Sequence, residues 1–318
     1  MRNIDIAGIG VALPREVSNN ELEKKFNLSS IEKVTKLKSR HFFDDVKDID
    51  EYILKAVNEA LKNANITKDK IACIISSGAV NKMAIPYNAS NIHRLLKLSS
   101  NVGSFDVNMT CLSFLRAFDI ASRMIEEFEY ILFVSVDVAS VGLDWENLGT
   151  AGLFGDGISA VIFKKSSSGG LIKSNFYTCS SGYEICTLKS GGYLYNPRDY
   201  KDQSKLGQFC MNGKELFRLV MNEMPAFLAD CNINYDEISY IIPHQASFSS
   251  LKNAIKYLKL PSEKIINIFE NHGNQIASSL PIALNFVIKT KDLKSGEKLL
   301  FLGTGAGVSL GCVLWQKP

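Results

Sequence analysis

Leu61 to Val80 reads LKNANITKDKIACIISSGAV, and Leu228 to Ser247 reads LADCNINYDEISYIIPHQAS. Each stretch holds the end of a helix, an Asn-Ile turn, an acidic residue and then an apolar run of the length of a buried strand. The next segment of each half repeats as well. Asn91 to Leu98 (NIHRLLKL) and Asn253 to Leu260 (NAIKYLKL) both read as helices. Each half then closes on a Gly-rich turn feeding a strand, Phe154-Gly155-Asp156-Gly157 running on to Phe163, and Leu302-Gly303-Thr304-Gly305-Ala306-Gly307-Val308-Ser309. Self-similarity over about half a chain indicates a duplicated unit, because a solenoid repeats every ~20 to 50 residues. Helical spacing at Ile49, Ile53, Ala56, Ala60 and Ala64 alternates with the strands, so the class is α/β with layered helices and sheets. The polar run Lys164-Lys165-Ser166-Ser167-Ser168-Gly169-Gly170 marks the expected boundary, giving halves 1–165 and 166–318.

The chain has 318 residues, 46% hydrophobic and 22% charged, with a net charge of +3. That is an ordinary globular composition with room for one large or two fused cores, and nothing in it indicates disorder. Basic residues are scattered, so no nucleic-acid footprint is expected. Seven cysteines, at 73, 111, 179, 186, 210, 231 and 312, form no C-x-x-C pair and lie far from any histidine at ligand spacing. Neither a disulfide framework nor a metal site is therefore expected, and a reducing, cytoplasmic setting is. Ile6 to Pro14 reads as a first strand rather than a secretion signal. No stretch approaches the roughly 18 apolar residues that cross a membrane.

Ser104-Phe105-Asp106-Val107-Asn108-Met109-Thr110-Cys111-Leu112-Ser113-Phe114 runs an alternating strand into an apolar helix with a cysteine at the junction. Phe105, Val107 and Met109 share one face, and from Leu112 to Ile125 only Arg116, Asp119 and Arg123 carry charge, on one stripe of a mostly buried helix. Unpaired N–H groups and the positive end of the helix dipole predict a lowered thiol pKa at Cys111. The competing reading is a cysteine that only packs. In the duplicated register Cys111 falls roughly opposite Asn274, and a pseudo-twofold would bring the two together.

Of the four histidines, His93 sits mid-helix beside Arg94 and His41 follows Arg40 in a charged turn, both expected at the solvated surface. His244 ends the apolar strand Ile238 to Ile242 just after Pro243, where α/β folds bind ligands; its alternative is a strand-end histidine bonded to a nearby carbonyl. Asn274 comes after the turn Glu270-Asn271-His272-Gly273 and precedes a helix start at Ile276, as a helix cap would too. A thiol at a helix start, a strand-end imidazole and a turn carboxamide suit acyl transfer, the first as nucleophile and the others as donors to a developing oxyanion.

These residues resemble the thiolase-fold condensing enzymes, specifically the β-ketoacyl-acyl-carrier-protein synthase III family. The likeness spans nearly the whole chain: Ile6 to Pro14, Arg40-His41, Phe105-Asp106-Val107 before Cys111, Phe154 to Gly157, Met211-Asn212-Gly213-Lys214-Glu215-Leu216-Phe217, Pro243-His244-Gln245-Ala246, and His272-Gly273-Asn274 running to Pro281. It implies a thiolase-like, duplicated five-layer αβαβα fold and an acyltransferase that loads an acyl group onto Cys111. His244 and Asn274 would then assist decarboxylative, Claisen-type condensation with a malonyl-type thioester, giving a 3-oxoacyl product in fatty-acid or specialised-metabolite biosynthesis. The resemblance further implies an oxyanion hole from the backbone N–H groups of Cys111 and of the Thr304-Gly305 turn, a substrate pocket including Tyr87, Leu112 and Phe217, a homodimer, and no cofactor.

Departures from the family pattern shape the expected substrate. Members that prime from acetyl-coenzyme A clamp the cofactor with a Trp and three Arg, and those places hold Ser30, Val34, Leu148 and Ser249 here. Acyl and malonyl thioesters on acyl carrier protein are therefore the expected partners, with Arg218, Lys252 and Lys256 as docking candidates or simply a solvated helix face. The loop Gly78 to Ile85 has no carboxylate of the kind that abstracts a proton in non-decarboxylating relatives. Leu112-Ser113 replaces a smaller pair after the cysteine and is expected to reshape the acyl pocket. The loop Thr187 to Lys205 bears on pocket volume, by a path the sequence leaves open. Alternatives are a non-catalytic partner subunit of a heteromeric synthase, an acyltransferase of the same fold that forms no carbon–carbon bond, and a cysteine hydrolase.

Overall fold

The computed structural model describes residues 1–195 and 203–318. One sheet runs in the order β1 (Ile4–Ala12), β7 (Gly157–Lys165), β6 (Tyr130–Asp137), β4 (Cys73–Ser77), β5 (Gly103–Asp106), with β4 parallel to both β5 and β6 and with β7 antiparallel to β1 and β6. The second sheet repeats the pattern as β8 (Gly170–Thr178), β13 (Ser309–Gln316), β12 (Lys298–Gly305), β11 (Ile238–Pro243). A single parallel bridge between Ile241 and Ile265 stands where a fifth strand would lie. Two short pairs complete the strands, β2 (Arg15–Ser18) with β3 (Ser39–Phe42), and β9 (Cys186–Thr187) with β10 (Cys210–Met211).

The helices in the first half are α1 (Asn19–Phe26), α2 (Ile31–Thr35), α3 (Ile49–Ala64), α4 (Asn88–Leu96), α5 (Ser113–Met124) and α6 (Leu148–Ala151). The second half adds α7 (Gln203–Leu206), α8 (Gly213–Cys231), α9 (Phe248–Leu258), α10 (Phe269–His272) and α11 (Ser279–Thr290). Between the two sheets lie α5 and α11, whose Phe114, Phe118, Leu280 and Leu284 meet Phe133 and Phe163 from one sheet and Phe301 and Trp315 from the other. On the outer face of the first sheet α3 and α4 cover Ile74, Leu132 and Val134, and on the outer face of the second α8 and α9 cover Ile241, Leu300 and Leu310. The five-layer αβαβα architecture is thus present, and both faces of each sheet are apolar because both are covered.

Local chemistry sets these layers. The helices before each repeated Asn-Ile turn stop on left-handed asparagines, Asn65 ending α3 and Asn232 ending α8, and Lys97 and Lys259 do the same for α4 and α9. On β1, a Cβ at Gly10 would stand 2.0 Å from the Ala56 carbonyl oxygen, so only glycine lets α3 lie this close to the sheet. The charged stripe of α5 is partly internal: Asp119 is buried and takes Arg2, Arg116, Arg123 and the Ser174 hydroxyl.

Arg40 and His41 lie on β3 rather than in a charged turn at the surface. The Arg40 side chain is fully buried, donating to the Ala151 carbonyl at 3.1 Å and to Asn19 Oδ1 at 2.9 Å. Burial without a carboxylate partner lowers its pKa to about 10. His41 is half-buried, with Nδ1 2.8 Å from the Pro14 carbonyl and its ring against that of His272. Part of the loop Thr187 to Lys205, residues 196–202, lies outside the described residues. Among the described residues the cysteines are all free, no cluster of three or more potential metal ligands occurs, and no helix is long and apolar enough to cross a membrane.

Candidate active site

Cys111 is the middle residue of a one-turn 3-10 segment, Thr110–Leu112, that leads into α5, and Ile276–Ser278 is the same device at the start of α11. Thr110 and Ile276 both take left-handed backbone angles, φ 49° and 51°. Asn108 Oδ1 accepts the Thr110 N–H at 3.0 Å and Asn274 Oδ1 accepts the Ile276 N–H at 2.9 Å. Ser113 Oγ accepts the Met109 N–H at 2.9 Å, and Ser279 Oγ accepts the Gln275 N–H at 3.0 Å. The internal symmetry therefore pairs Asn274 with Asn108 and Cys111 with Ala277, which corrects the expected pairing of Cys111 with Asn274. The two turns pack against each other, so Cys111 and Asn274 still line one cavity.

Asn274 is buried, and its backbone is tied to the first half through its N–H to the Leu153 carbonyl at 2.8 Å and its carbonyl to the Gly155 N–H at 3.1 Å. Because Oδ1 is held by Ile276, the free face of the side chain is the Nδ2 donor. His244 donates its backbone N–H to Leu302 at 2.8 Å, and its neighbour Gln245 fixes the strand end. Gln245 Nε2 donates to the Pro243 carbonyl at 2.8 Å, and its Oε1 accepts the Ile268 N–H at 3.0 Å. Among the described residues His244 Nδ1 is buried without a partner, and a buried lone pair is tolerated more readily than a buried orphan N–H, so the ring proton belongs on Nε2. Burial lowers the His244 pKa to about 4, which keeps the ring neutral and Nε2 a donor at neutral pH.

The expected depression of the Cys111 pKa is overturned. Cys111 is half-buried and lines the cavity. Burial, with the Asp137 charge and Cys186 adding to it, pushes the thiol up to about 12. Two backbone N–H groups, its own and that of Ala306, reach the sulfur and act the other way without winning. Asp137 was not singled out in the sequence, although an acid ending the apolar strand Tyr130 to Val136 was a visible signal. It is fully buried and accepts from the Ser135 hydroxyl at 2.6 Å, from the Ser278 N–H and hydroxyl at 2.8 and 2.9 Å, and from the Ala79 N–H at 3.2 Å. It thereby ties the end of β6 to the turn just beyond Asn274.

Cys111, His244 and Asn274 line one cavity of about 690 Å³, together with Thr304, Gly305 and Ala306. Phe217 lines it too. Leu112 does not: it is fully buried, packed on the face of β12 and β13 where Gly303, Gly305 and Gly311 leave room for it, so it is a wedge in the core and not a pocket wall. Tyr87 is exposed at the start of α4 with its hydroxyl 3.2 Å from Ser104 Oγ, outside the cavity of this chain. Arg218, Lys252 and Lys256 are exposed on α8 and α9, the helices whose inner faces line the cavity.

The duplicated five-layer frame, with helix starts from both halves facing a central cavity, places the chain among the thiolase-fold enzymes. Models of the family 3-oxoacyl-[acyl-carrier-protein] synthase III and of its C-terminal part match residues 105–180 and 228–317. Over 97% of its length the chain is 31% identical to β-ketoacyl-[acyl-carrier-protein] synthase III of Wolbachia pipientis wMel, covering 98% of that protein. It is similar in structure to 3-oxoacyl-[acyl-carrier-protein] synthase III from Aquifex aeolicus VF5, with a TM-score of 0.85, 28% identity, and 98% and 99% of the two chains covered. In fold it also matches the priming β-ketosynthase from the R1128 polyketide biosynthetic pathway, with a TM-score of 0.89 at 23% identity over 100% and 97% of the two chains. The chain belongs to the 3-oxoacyl-[acyl-carrier-protein] synthase III family and is an enzyme of that type, a Claisen-type condensing acyltransferase.

Proposed function

We propose that Cys111 is the acylated nucleophile and that His244 and Asn274 hold the acceptor thioester during a decarboxylative condensation. The observation that carries this reading is that one sulfur and two side-chain donors, Nε2 and Nδ2, line the same cavity. In the first half-reaction the sulfur attacks the carbonyl carbon of an acyl thioester. Its proton leaves as the bond forms and ends on the departing carrier sulfur, because a thiol pushed up to about 12 does not rest as thiolate; His244, protonated on Nε2 with Nδ1 buried, acts here as a donor and not as the base. The carrier thiolate departs and takes up a proton. The backbone N–H groups of Cys111 and of the Thr304-Gly305 turn stabilise the tetrahedral oxyanion.

In the second half-reaction the malonyl carbonyl oxygen sits between His244 Nε2 and Asn274 Nδ2. The bond to its carboxylate breaks, carbon dioxide leaves, and the electron pair passes into an enolate that these donors stabilise. The enolate carbon attacks the acyl carbonyl and expels Cys111. Asn274 polarises and does not take a proton, which supports decarboxylation as the source of the carbanion. So does the loop Gly78 to Ile85, which carries no carboxylate and whose Lys82 is paired with Asp50.

The halves 1–165 and 166–318 are the two units of this enzyme, the first supplying the thiol and the second the imidazole and carboxamide. Ser30, Val34, Leu148 and Ser249 at the places of cofactor clamps support acyl donors arriving on a carrier protein, with Arg218, Lys252 and Lys256 as its docking face, in fatty-acid or specialised-metabolite synthesis. The enzyme works as a cytoplasmic homodimer, its Tyr87 loop toward the partner. Intact-protein mass spectrometry after incubation with a panel of acyl-carrier thioesters tests the reading. A single acyl mass on the wild type that is absent from Cys111→Ala supports it, and no adduct with any thioester rejects it.

A further inference from the structure

The lining of the cavity falls into three groups. One reaches the surface between Asn147 and Gly149 on one side and Ser190, Gly213 and Ser250 on the other, a polar mouth. A second passes Cys111 beneath Ala139, Leu143 and Phe154 toward Ala79 and Val80. The third lies under α8 and α9, bounded by Met221, Met224, Ala254 and Leu258 and by Ile241 and Leu302 of the sheet. Every side chain of this third arm is apolar, and none is exposed.

The helix above the arm records the same void. Leu251, Ala254, Ile255 and Leu258 give α9 a well-formed apolar face, yet no residue of α9 is fully buried. Across from it α8 buries Val220, Met221, Met224 and Phe227. Ala254, Ile255 and Leu258 touch the core beside the arm, and Ala254 and Leu258 also line the cavity; the part of an apolar face left over empty space forfeits the dispersion contacts that close packing supplies, so the arm is built for an occupant. A thioester needs a mouth for its carrier arm and one blind end for its acyl chain. Here the mouth takes the carrier arm and the end beside Cys111 takes the acyl chain, with Ala79 exposed where that end reaches the surface of this chain, and an arm without a polar side chain does not suit the amides of a pantetheine.

We propose that the third arm holds an alkyl substituent on the reacting carbon of the acceptor, so that the acceptor is a 2-alkylmalonyl thioester and the product a 2-alkyl-3-oxoacyl thioester. The inference rests on the condensation proposed above. It assigns the arm to the acceptor because the arm opens beside His244, whose backbone N–H is bonded to Leu302 and whose strand carries Ile241. The chemistry is unchanged in its balance. The bond from the substituted carbon to the carboxylate breaks, carbon dioxide leaves, and the enolate carbon bearing the alkyl group bonds to the acyl carbon. The bond to Cys111 sulfur breaks, and the released thiolate takes a proton from water. A cavity of about 690 Å³ lies within the ~300 to 1,000 Å³ range of pockets that enclose a whole small ligand.

The test gives the purified chain, loaded with an acyl group on Cys111, malonyl or hexylmalonyl thioesters on one carrier protein, and reads the products by mass spectrometry. The wild type is expected to form the hexyl-branched product. Filling the arm with Ala254→Phe or Met224→Trp is expected to lower the ratio of kcat/KM for hexylmalonyl over malonyl at least tenfold. Acyl loading of Cys111 shows that each variant is folded, and Ala254→Val, expected to give an intermediate ratio, serves if the larger changes do not fold. A wild type that condenses malonyl but forms no branched product overturns the inference and leaves the condensation standing. So does an unchanged ratio in variants that still load Cys111, or a filled arm that instead shortens the longest acyl group Cys111 accepts. No adduct on Cys111 in the wild type removes the condensation itself, and the inference with it.

Discussion

Oδ1 of Asn274 accepts the backbone N–H of Ile276 at 2.9 Å, so one residue both caps a helix start and presents an amide donor to the cavity. Asn274→Asp separates the two duties. The carboxylate keeps the capping bond but offers an acceptor where a donor stood. The condensation rate with malonyl thioester is expected to fall by roughly 10² to 10³, the loss on deleting one oxyanion donor. Acylation of Cys111 by mass spectrometry is expected to persist. Equal losses in both half-reactions contradict the assignment.

His244, held neutral by burial with a pKa of about 4 against an ordinary 6.5, couples stability to pH. Its folded pKa is depressed, so between those values the unfolded chain binds more protons, and stability is lost as pH falls from about 6.5 toward 4. The full effect is on the order of 3 kcal/mol, at about 1.4 kcal/mol per unit. Urea midpoints at pH 7 and pH 4.5 are expected to show this drop, and His244→Gln to reduce it. The acid limb of the condensation rate is expected below pH 5, and a midpoint near 6.5 contradicts a buried neutral ring.

Gly305 lies against the turn that carries the nucleophile. A Cβ there would stand 2.6 Å from Thr110 Oγ1 and 3.1 Å from the Met109 carbonyl oxygen. Gly305→Ala is expected to destabilise by about 1 to 3 kcal/mol, the usual cost of overpacking. Because the strain falls on the Thr110–Leu112 turn, the rate of Cys111 acylation is expected to drop at least tenfold. At Gly103 a Cβ meets nothing within 4 Å, and Gly103→Ala is expected to stay within about 0.5 kcal/mol and to acylate normally.

Leu112 separates core from pocket. As a fully buried wedge against β12 and β13, its truncation in Leu112→Ala is expected to cost about 2 to 5 kcal/mol in a denaturant titration. Because it does not line the cavity, the longest acyl group found on Cys111 is expected to stay the same. A longer accepted chain at wild-type stability contradicts the placement.

Much of the frame was legible because it is written twice. The Asn-Ile turns at Asn65 and Asn232 read as helix ends and are left-handed caps, and the spacing of Ile49, Ile53, Ala56 and Ala60 marks α3 because a period near 3.6 has one physical meaning. Less legible was anything set by what lies across a gap. His41 read as a surface residue in a charged turn and is half-buried on β3 beside the buried Arg40. The pairing of Cys111 with Asn274 missed by three residues, since only the hydrogen bonds of Asn108 and Asn274 fix the register. Asp137, at the end of an apolar strand, reaches Ser278 far along the chain.

Composition, periodicity and internal repetition sufficed to determine a duplicated α/β protein with a cysteine at a helix start, because those features depend on neighbours along the chain, and the family followed from the resemblance of its motifs. Only the tertiary structure decided the protonation of the site and the shape of its cavity. Whether a helix start makes a thiol acidic depends on how much water the surrounding walls remove, and here those walls raise the Cys111 pKa where the dipole alone would lower it. Whether an apolar helix face covers packed side chains or an empty arm depends on the element opposite, as α9 against α8 and Ile241 shows.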